Sequence, residues 1–238
     1  MSEDDAAASS ALLEASDDNY DGKIVSSASL PADPASFAAR LRRSLAAWGD
    51  AGARGVWLKL GLAQSGLIPV AAEQGFEFHH AERDYVMMTR WLPTSSPCTL
   101  PANASHQVGV GAFVVNAAGQ VLLVQERSGV LRGRGVWKMP TGLVAAGEDF
   151  TQAAERELLE ETGVTARVEC VLAIRQAHGF AFGKSDLFIV VGMRPEPEGQ
   201  EPVPQEAELV AARWAPLSEY TDQEFFRGMP LYEKMLDR

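Results

Sequence analysis

Cysteine is nearly absent from this chain: two residues, Cys98 and Cys170, in a sequence of 238. They lie far apart, with neither metal-ligand nor redox spacing, which suits a reducing compartment better than a disulfide framework. Long apolar runs are missing too. None approaches the roughly 20 residues of a membrane span, and the N-terminus lacks the basic start of a secretory signal. A soluble, cytoplasmic protein with no membrane partner is expected. Positive charge is also scarce, with 21 Lys and Arg against 32 Asp and Glu and a net charge of −11. Residues 1–22 hold seven of the acids and no base, which leaves −4 on the rest. So small a charge does not make the broad basic surface that nucleic acid or a highly phosphorylated inositol requires, and it points to a small substrate.

What is present divides into segments. Residues 1–22 are acidic and rich in Ala and Ser, unlike an Arg-rich transit peptide, and predict a disordered tail. The 46% hydrophobic content is enough to fill sizeable cores in the remainder. Over 23–92, Asp33-Pro34 opens a helix, and Phe37, Leu41, Leu45 and Trp48 repeat at helical spacing to about Asp50. Strands are predicted at Val56–Leu60, Phe76–His79 and Tyr85–Trp91, with a second helix over Leu62–Gln74, which together make a small α+β domain. His79 and His80 are neighbours in a strand, where alternation sends them to opposite faces and favours a structural or surface role over metal binding. Proline, serine and asparagine mark residues 93–106 as a linker.

In 107–238, Val108–Val115 and Val121–Gln125 flank a turn at Asn116–Gly119 and predict a hairpin. A loop with Arg132 and Arg134 follows, then Trp137-Lys138-Met139-Pro140. Later strands are predicted at Arg167–Arg175, Leu187–Met193 and Val210–Trp214, with an acidic loop at Pro195–Pro204 and short helices starting near Leu217 and Pro230.

The chain is organised around residues 142–164, GLVAAGEDFTQAAERELLEETGV. Asp149 can cap a helix, with Gln152 reciprocating three positions on, and Gly163 sits where the helix would stop. On that helix Glu157, Glu160 and Glu161 fall at i, i+3 and i+4 and share one face, while Leu158 and Leu159 point toward a core. Three crowded carboxylates repel one another and call for a positive partner. Hard oxygen ligands of this kind suit Mg²⁺ or Mn²⁺, which also bind substrate phosphates.

The spacing G-x5-E-x7-R-E-U-x-E-E-x-G-U, with U aliphatic, is met at every position by Gly142, Glu148, Arg156, Glu157, Leu158, Glu160, Glu161, Gly163 and Val164. Such a coincidence arises by chance on the order of once in a billion starting points. The segment resembles the Nudix box, and the chain is identified as a member of the Nudix hydrolase superfamily. Residues 54–88 and the run RQAHGFAFGKSDLF (Arg175 to Phe188) resemble one subgroup, which includes the fibroblast growth factor antisense-type proteins and the plant ADP-ribose/NADH pyrophosphatases.

The resemblance implies an α/β/α sandwich with a mixed sheet, preceded by the smaller α+β domain. It implies metal ligation by Glu157, Glu160, Glu161 and a backbone carbonyl near Gly142, with Arg156 and Glu148 bracing the loop. The general base is left between Glu157 or Glu160 and the acidic loop carrying Glu196, Glu198, Glu201 and Glu206. Arg127, Arg175, His178 and Phe180 are candidates for the substrate, with Arg132, Arg134, Lys138, Lys184, Trp137 and Phe182 behind them. The implied reaction is hydrolysis of the pyrophosphate in ADP-ribose or NADH to AMP and a second phosphate. Coenzyme A, FAD or a capped RNA end are alternative substrates, and a nucleotide-binding regulatory protein with weak turnover is the alternative class. The N-terminal domain is expected to support assembly, for instance a homodimer, or to shape the entrance of the site.

Overall fold

A computed structural model describes residues 11–227 of the chain. It divides between Ala104 and Ser105 into two compact units.

In the first unit, β1 (Ala15–Asp17), β2 (Lys23–Val25), β3 (Gly55–Gly61), β4 (Glu77–Ala81) and β5 (Tyr85–Trp91) form one sheet in the order β1-β2-β3-β5-β4. The β2–β3 pair is parallel and the others antiparallel. Helix α1 (Pro34–Asp50) starts where Pro34 follows Asp33, whose carboxylate accepts from the Ser36 N–H at 2.7 Å. Its apolar stripe of Phe37, Leu41, Leu45 and Trp48 packs on Val25, Val56, Leu58, Leu60 and Met88 of the sheet. The helix expected over 62–74 is split into a 3-10 segment, Leu62–Leu67, and α2 (Ile68–Glu73). Pro69 lies in the first turn of α2, the position in a helix that tolerates the missing N–H, so a new helix starts there.

The disordered tail expected over 1–22 needs correction in its described part. Leu13 is buried in the α1 core, its N–H donates to Ser44 Oγ at 2.8 Å, and the Arg40 guanidinium donates to the carbonyls of Ala11 and Leu12. Residues 15–17 then pair with 23–25. One leucine with a pocket waiting for it outweighs the acidic average of the segment. The expectation for residues 1–10 lies outside the described residues. His79 and His80 also depart from alternation. A register shift between Phe78 and His80 puts their rings in contact, with Nδ1 atoms 2.7 Å apart.

In the second unit, β6 (His106–Val114), β7 (Gln120–Glu126), β8 (Thr141–Leu143), α3 (Phe150–Thr162), β9 (Ala166–Ala177), β10 (Ser185–Pro195), β11 (Leu209–Pro216) and α4 (Leu217–Thr221) follow in order. The expected helix near Pro230 lies outside the described residues. A mixed four-stranded sheet runs β8-β6-β10-β9, with β6 and β10 parallel, and β7 pairs with β11 in a second, two-stranded sheet. The hairpin expected from β6 to β7 therefore does not form. Asn116–Gln120 makes the turn, but only the bridge Val115–Val121 follows before the strands part. Val121 to Val124 are all buried, because β7 has a core on both faces and β11 at its side.

Helix α3 covers one face of the four-stranded sheet, packing Ala153, Ala154 and Leu158 on Val110, Ala112 and Val114 of β6 and Ile189, Val191 and Met193 of β10. Tyr220 of α4 and Phe226 join Val190, Val121, Leu123 and Met139 in a separate cluster. The layers are thus helix, mixed sheets, helix. Among the described residues no helix is long and apolar enough to cross a membrane.

Candidate active site

The loop from β8 to α3 and the second half of α3 carry the glutamates. Asp149 takes an extended conformation at the N-cap and its N–H donates to Gln152 Oε1 at 3.1 Å. At the other end Gly163, with φ 69°, turns left-handed and donates to the Leu159 carbonyl. Leu158 is buried as expected. Leu159 is 49% exposed, because one residue further round the helix is already past the core-facing stripe.

Arg156 binds the loop to the helix. Its Nε and Nη2 donate to the two oxygens of Glu148 at 2.7 and 2.9 Å, Nη2 also donates to the Leu143 carbonyl at 3.0 Å, and Nη1 donates to Glu157 at 2.8 Å and Glu160 at 3.4 Å. This fork on Glu148, with the Ala145 N–H as a further donor, holds the Glu148 carboxyl down at about 2. Glu157 lies directly over Gly142: a β-carbon at 142 would stand 1.9 Å from its Cδ. Any side chain at 142 would push the Glu157 carboxylate aside, so glycine is what leaves it against the loop backbone.

Glu161 is the buried member, 6% exposed, and its Oε2 has no hydrogen-bond partner. Burial pushes its carboxyl up to about 7; Lys138 opposes the shift and Glu157 adds to it. Lys138 is itself nearly buried, with Nζ 2.9 Å from Glu126 and donating to Thr141 Oγ1 at 2.7 Å, next to Gly142. Glu160 is the outer member, its side chain 58% exposed. Among the described residues no group of three His, Cys, Asp or Glu is gathered ready to hold a metal ion. The donors still fit a hard divalent cation in kind. An unpartnered carboxylate oxygen on buried Glu161 and the Glu157 carboxylate lying against the Gly142 backbone supply anionic oxygen.

The substrate candidates separate. Arg175, His178 and Phe180 lie together on the hairpin from β9 to β10. Arg175 pairs with buried Asp186 at 2.6 Å and lies 5.1 Å over the Phe188 ring, His178 Nδ1 is 2.9 Å from Ser185 Oγ, and Phe180 is half exposed. Arg127 stands apart, just past the end of β7, donating to the Leu209 carbonyl at 3.1 Å, where it braces β7 against β11. Trp137 is covered by the Arg213 guanidinium at 4.3 Å, and its backbone is held on both sides by Gln223. Two residues were missed by sequence reasoning. Glu126 partners Lys138, and Asp186 sits 3% exposed at the start of β10. The signal for Asp186 was a lone acid heading an apolar strand, opposite an arginine on the preceding one.

Comparison with known proteins finds relatives over both units. A family model for the NUDIX domain matches residues 105–237, and a second, described as Nudix hydrolase domain, matches 13–92. Nudix hydrolase 2 of Arabidopsis thaliana is 45% identical over 237 residues, covering 100% of this chain and 83% of its own length. Nudix hydrolase 8 of the same plant is 46% identical over 226 residues, or 95% of this chain, which spans 61% of that relative's length. Human nucleoside diphosphate-linked moiety X motif 6 is 42% identical over 68% of the chain and 51% of its own length. Among solved structures, a NUDIX hydrolase from Nitrosomonas europaea covers 68% of this chain and 86% of itself, with 21% identity and a TM-score of 0.46. From the full glutamate set on α3, the loop it closes on and these matches over both units, the chain belongs to the Nudix hydrolase family.

Proposed function

We propose that the chain hydrolyses the pyrophosphate of a nucleoside diphosphate linked to another moiety, with ADP-ribose or NADH as the substrate and AMP plus a second phosphate as products. The observation that carries this reading is the placement of Glu157 over Gly142, with the unpartnered Oε2 of Glu161 near by and Arg156 holding the loop. Glu157, Glu160, Glu161 and the Gly142 carbonyl would hold Mg²⁺ or Mn²⁺. When bound, the cation supplies neutralisation of charge on the phosphate oxygens and polarises water. The chain's own residues do the rest. Glu160, exposed and held by Arg156 only at 3.4 Å, takes the proton of the attacking water, while Arg156 keeps Glu157 aligned. Water's oxygen bonds to phosphorus, the anhydride P–O bond breaks, and the leaving phosphate departs with its bridging oxygen.

The relatives' names support the substrate class, since one is called nucleoside diphosphate-linked moiety X motif 6. A homodimer in the cytoplasm is part of the same reading, and two free, exposed cysteines suit that compartment. A second reading, a nucleotide-binding protein with weak turnover, is favoured by the Arg156 guanidinium already occupying Glu157 Oε1 at 2.8 Å. The deciding experiment is chromatography of products after incubation with ADP-ribose, NADH, FAD, coenzyme A and capped RNA, each with Mg²⁺ or Mn²⁺. AMP from either of the first two is expected. Turnover of another member replaces the substrate, and binding without any turnover favours the second reading.

A further inference from the structure

A buried carboxylate oxygen stands bare near a buried ammonium that is bound elsewhere. Glu161 is 6% exposed and its Oε2 has no hydrogen-bond partner, which is unfavourable for a carboxylate out of water. Burial pushes the Glu161 carboxyl up, and the charge of Lys138, itself 9% exposed, is what most opposes that push. Thr141 touches both groups: its hydroxyl accepts from Lys138 Nζ at 2.7 Å and its N–H donates to the Glu161 carboxylate. The ammonium nevertheless makes its ion pair with Glu126, at 2.9 Å, and the Glu161 oxygen is left over.

Strand β7 sets this choice of partner. The Lys138 backbone is bridged to Val124, its N–H donating to the Val124 carbonyl at 3.0 Å and its carbonyl accepting from the Val124 N–H at 2.8 Å. Glu126, the last residue of β7, lies two positions on and is the diagonal cross-strand neighbour of Lys138 on the same face. The bridge fixes the Lys138 backbone but does not aim a flexible four-carbon stem. Glu126 and the Thr141 hydroxyl do that, by taking two of the three ammonium donors.

We propose that Glu126 is a positioning residue for the cation site: by binding the Lys138 ammonium it keeps that lysine from closing on Glu161, so the Glu161 oxygen is left for a divalent cation. The inference rests on the reading of Glu161 as a cation ligand. A buried ammonium deprived of its carboxylate is strongly unfavourable and takes the nearest other one. Without Glu126 that carboxylate is Glu161, and a tethered ammonium competes with a dissolved cation at high effective concentration.

The test compares Glu126→Gln with the double variant Glu126→Gln/Lys138→Met, with manganese chloride titrated by calorimetry into each metal-free full chain. Glu126→Gln is expected to weaken Mn²⁺ binding about ten- to a hundred-fold, the size usual for a residue that orients a metal site from behind its ligands. The double variant has no ammonium to relocate and is expected to regain most of that loss, which a merely structural role for Glu126 would not allow. In chelator, Glu126→Gln should melt close to wild type, because Lys138 exchanges one carboxylate for another, and its crystal structure should show Lys138 Nζ within hydrogen-bond distance of Glu161. Equal Mn²⁺ affinity in Glu126→Gln and wild type overturns the proposal, as does a double variant as weak as the single one. A collapse of stability in chelator also overturns it, since Lys138 would then have found no second partner. If the wild type binds no Mn²⁺, the cation reading of Glu161 fails by itself; Lys138 closing on Glu161 in the crystal of Glu126→Gln still supports the positioning by Glu126, and an unmoved Lys138 overturns it.

Discussion

Glu157 rests on Gly142 with no space between them: a β-carbon on 142 would lie 1.9 Å from Glu157 Cδ and 2.1 Å from Oε1. The two residues are joined through β8 and α3, so the loop's backbone and the helix's carboxylate are set against each other by packing. Gly142→Ala would force Glu157 off this position, since the β8–β6 pairing at Val110 restrains the backbone. The expected result is a loss of at least about a hundred-fold in kcat, with melting lowered by only a few degrees. Steady-state kinetics beside a thermal melt checks it; near-normal turnover would show that Glu157 is not needed in this place.

Arg156 reaches Glu148, Glu157, Glu160 and the Leu143 carbonyl at once, which a planar fork can do and an ammonium cannot. Arg156→Lys should therefore behave as a loss of function in spite of its retained charge. Turnover is expected to drop roughly ten-fold or more as Glu157 and the loop lose their common anchor. Glu148 should return from about 2 toward an ordinary carboxyl value, which carboxyl-selective NMR titration reads directly. A Glu148 value still near 2 in the variant would place the cause elsewhere than Arg156.

Glu161 sets a pH dependence of the opposite sign. Its carboxyl stands at about 7 in the fold against an ordinary 4.5, so the folded state holds that proton more tightly than the unfolded chain. The stabilising contribution is complete below about pH 4.5 and is lost as pH rises through about 7, worth at most roughly 3 kcal/mol. In chelator, the melting temperature should fall between about pH 5 and about pH 8. Excess Mg²⁺ should offset the fall by binding the ionised form, and binding near neutrality should release a proton to the buffer. Melts in the two media, with Glu161→Gln as the control that flattens the chelator curve, check the assignment.

The legible parts of this chain were those whose chemistry is local. Asp149, Gln152 and Gly163 mark the ends of α3, and the glutamate spacing marks its face, all within one segment. Pairing at a distance was not legible. Val108, Val110, Ala112 and Val114 show that β6 has one buried face, but not that its neighbours are β8 and the parallel β10 in place of β7. Leu13 looked like part of an acidic tail because its partner, Ser44, is 31 residues away on α1. Asp186 stands out only as a lone acid heading an apolar strand, and neither its pairing with Arg175 nor that of Glu126 with Lys138 is legible without the register. Such pairs depend on register, which a sequence specifies only through its folded partner strands.

Glu160 separates chemistry from scaffolding better than its neighbours do. Glu157 is packed on Gly142 and Glu161 is buried beneath the loop, so replacing either changes structure and charge together. The Glu160 side chain is 58% exposed and makes one long contact with Arg156, a surface pair worth well under about 1 kcal/mol. Glu160→Gln should thus melt within about a degree or two of wild type and retain nucleotide binding, while hydrolysis falls by a hundred-fold or more, on the order of removing a positioned base. Product chromatography and AMP calorimetry on the same preparation give both numbers. Undiminished hydrolysis would take the base away from Glu160 and leave Glu157, or the acidic loop with Glu196, Glu198, Glu201 and Glu206, as its source; lost binding would instead mean that Glu160 serves to hold the nucleotide.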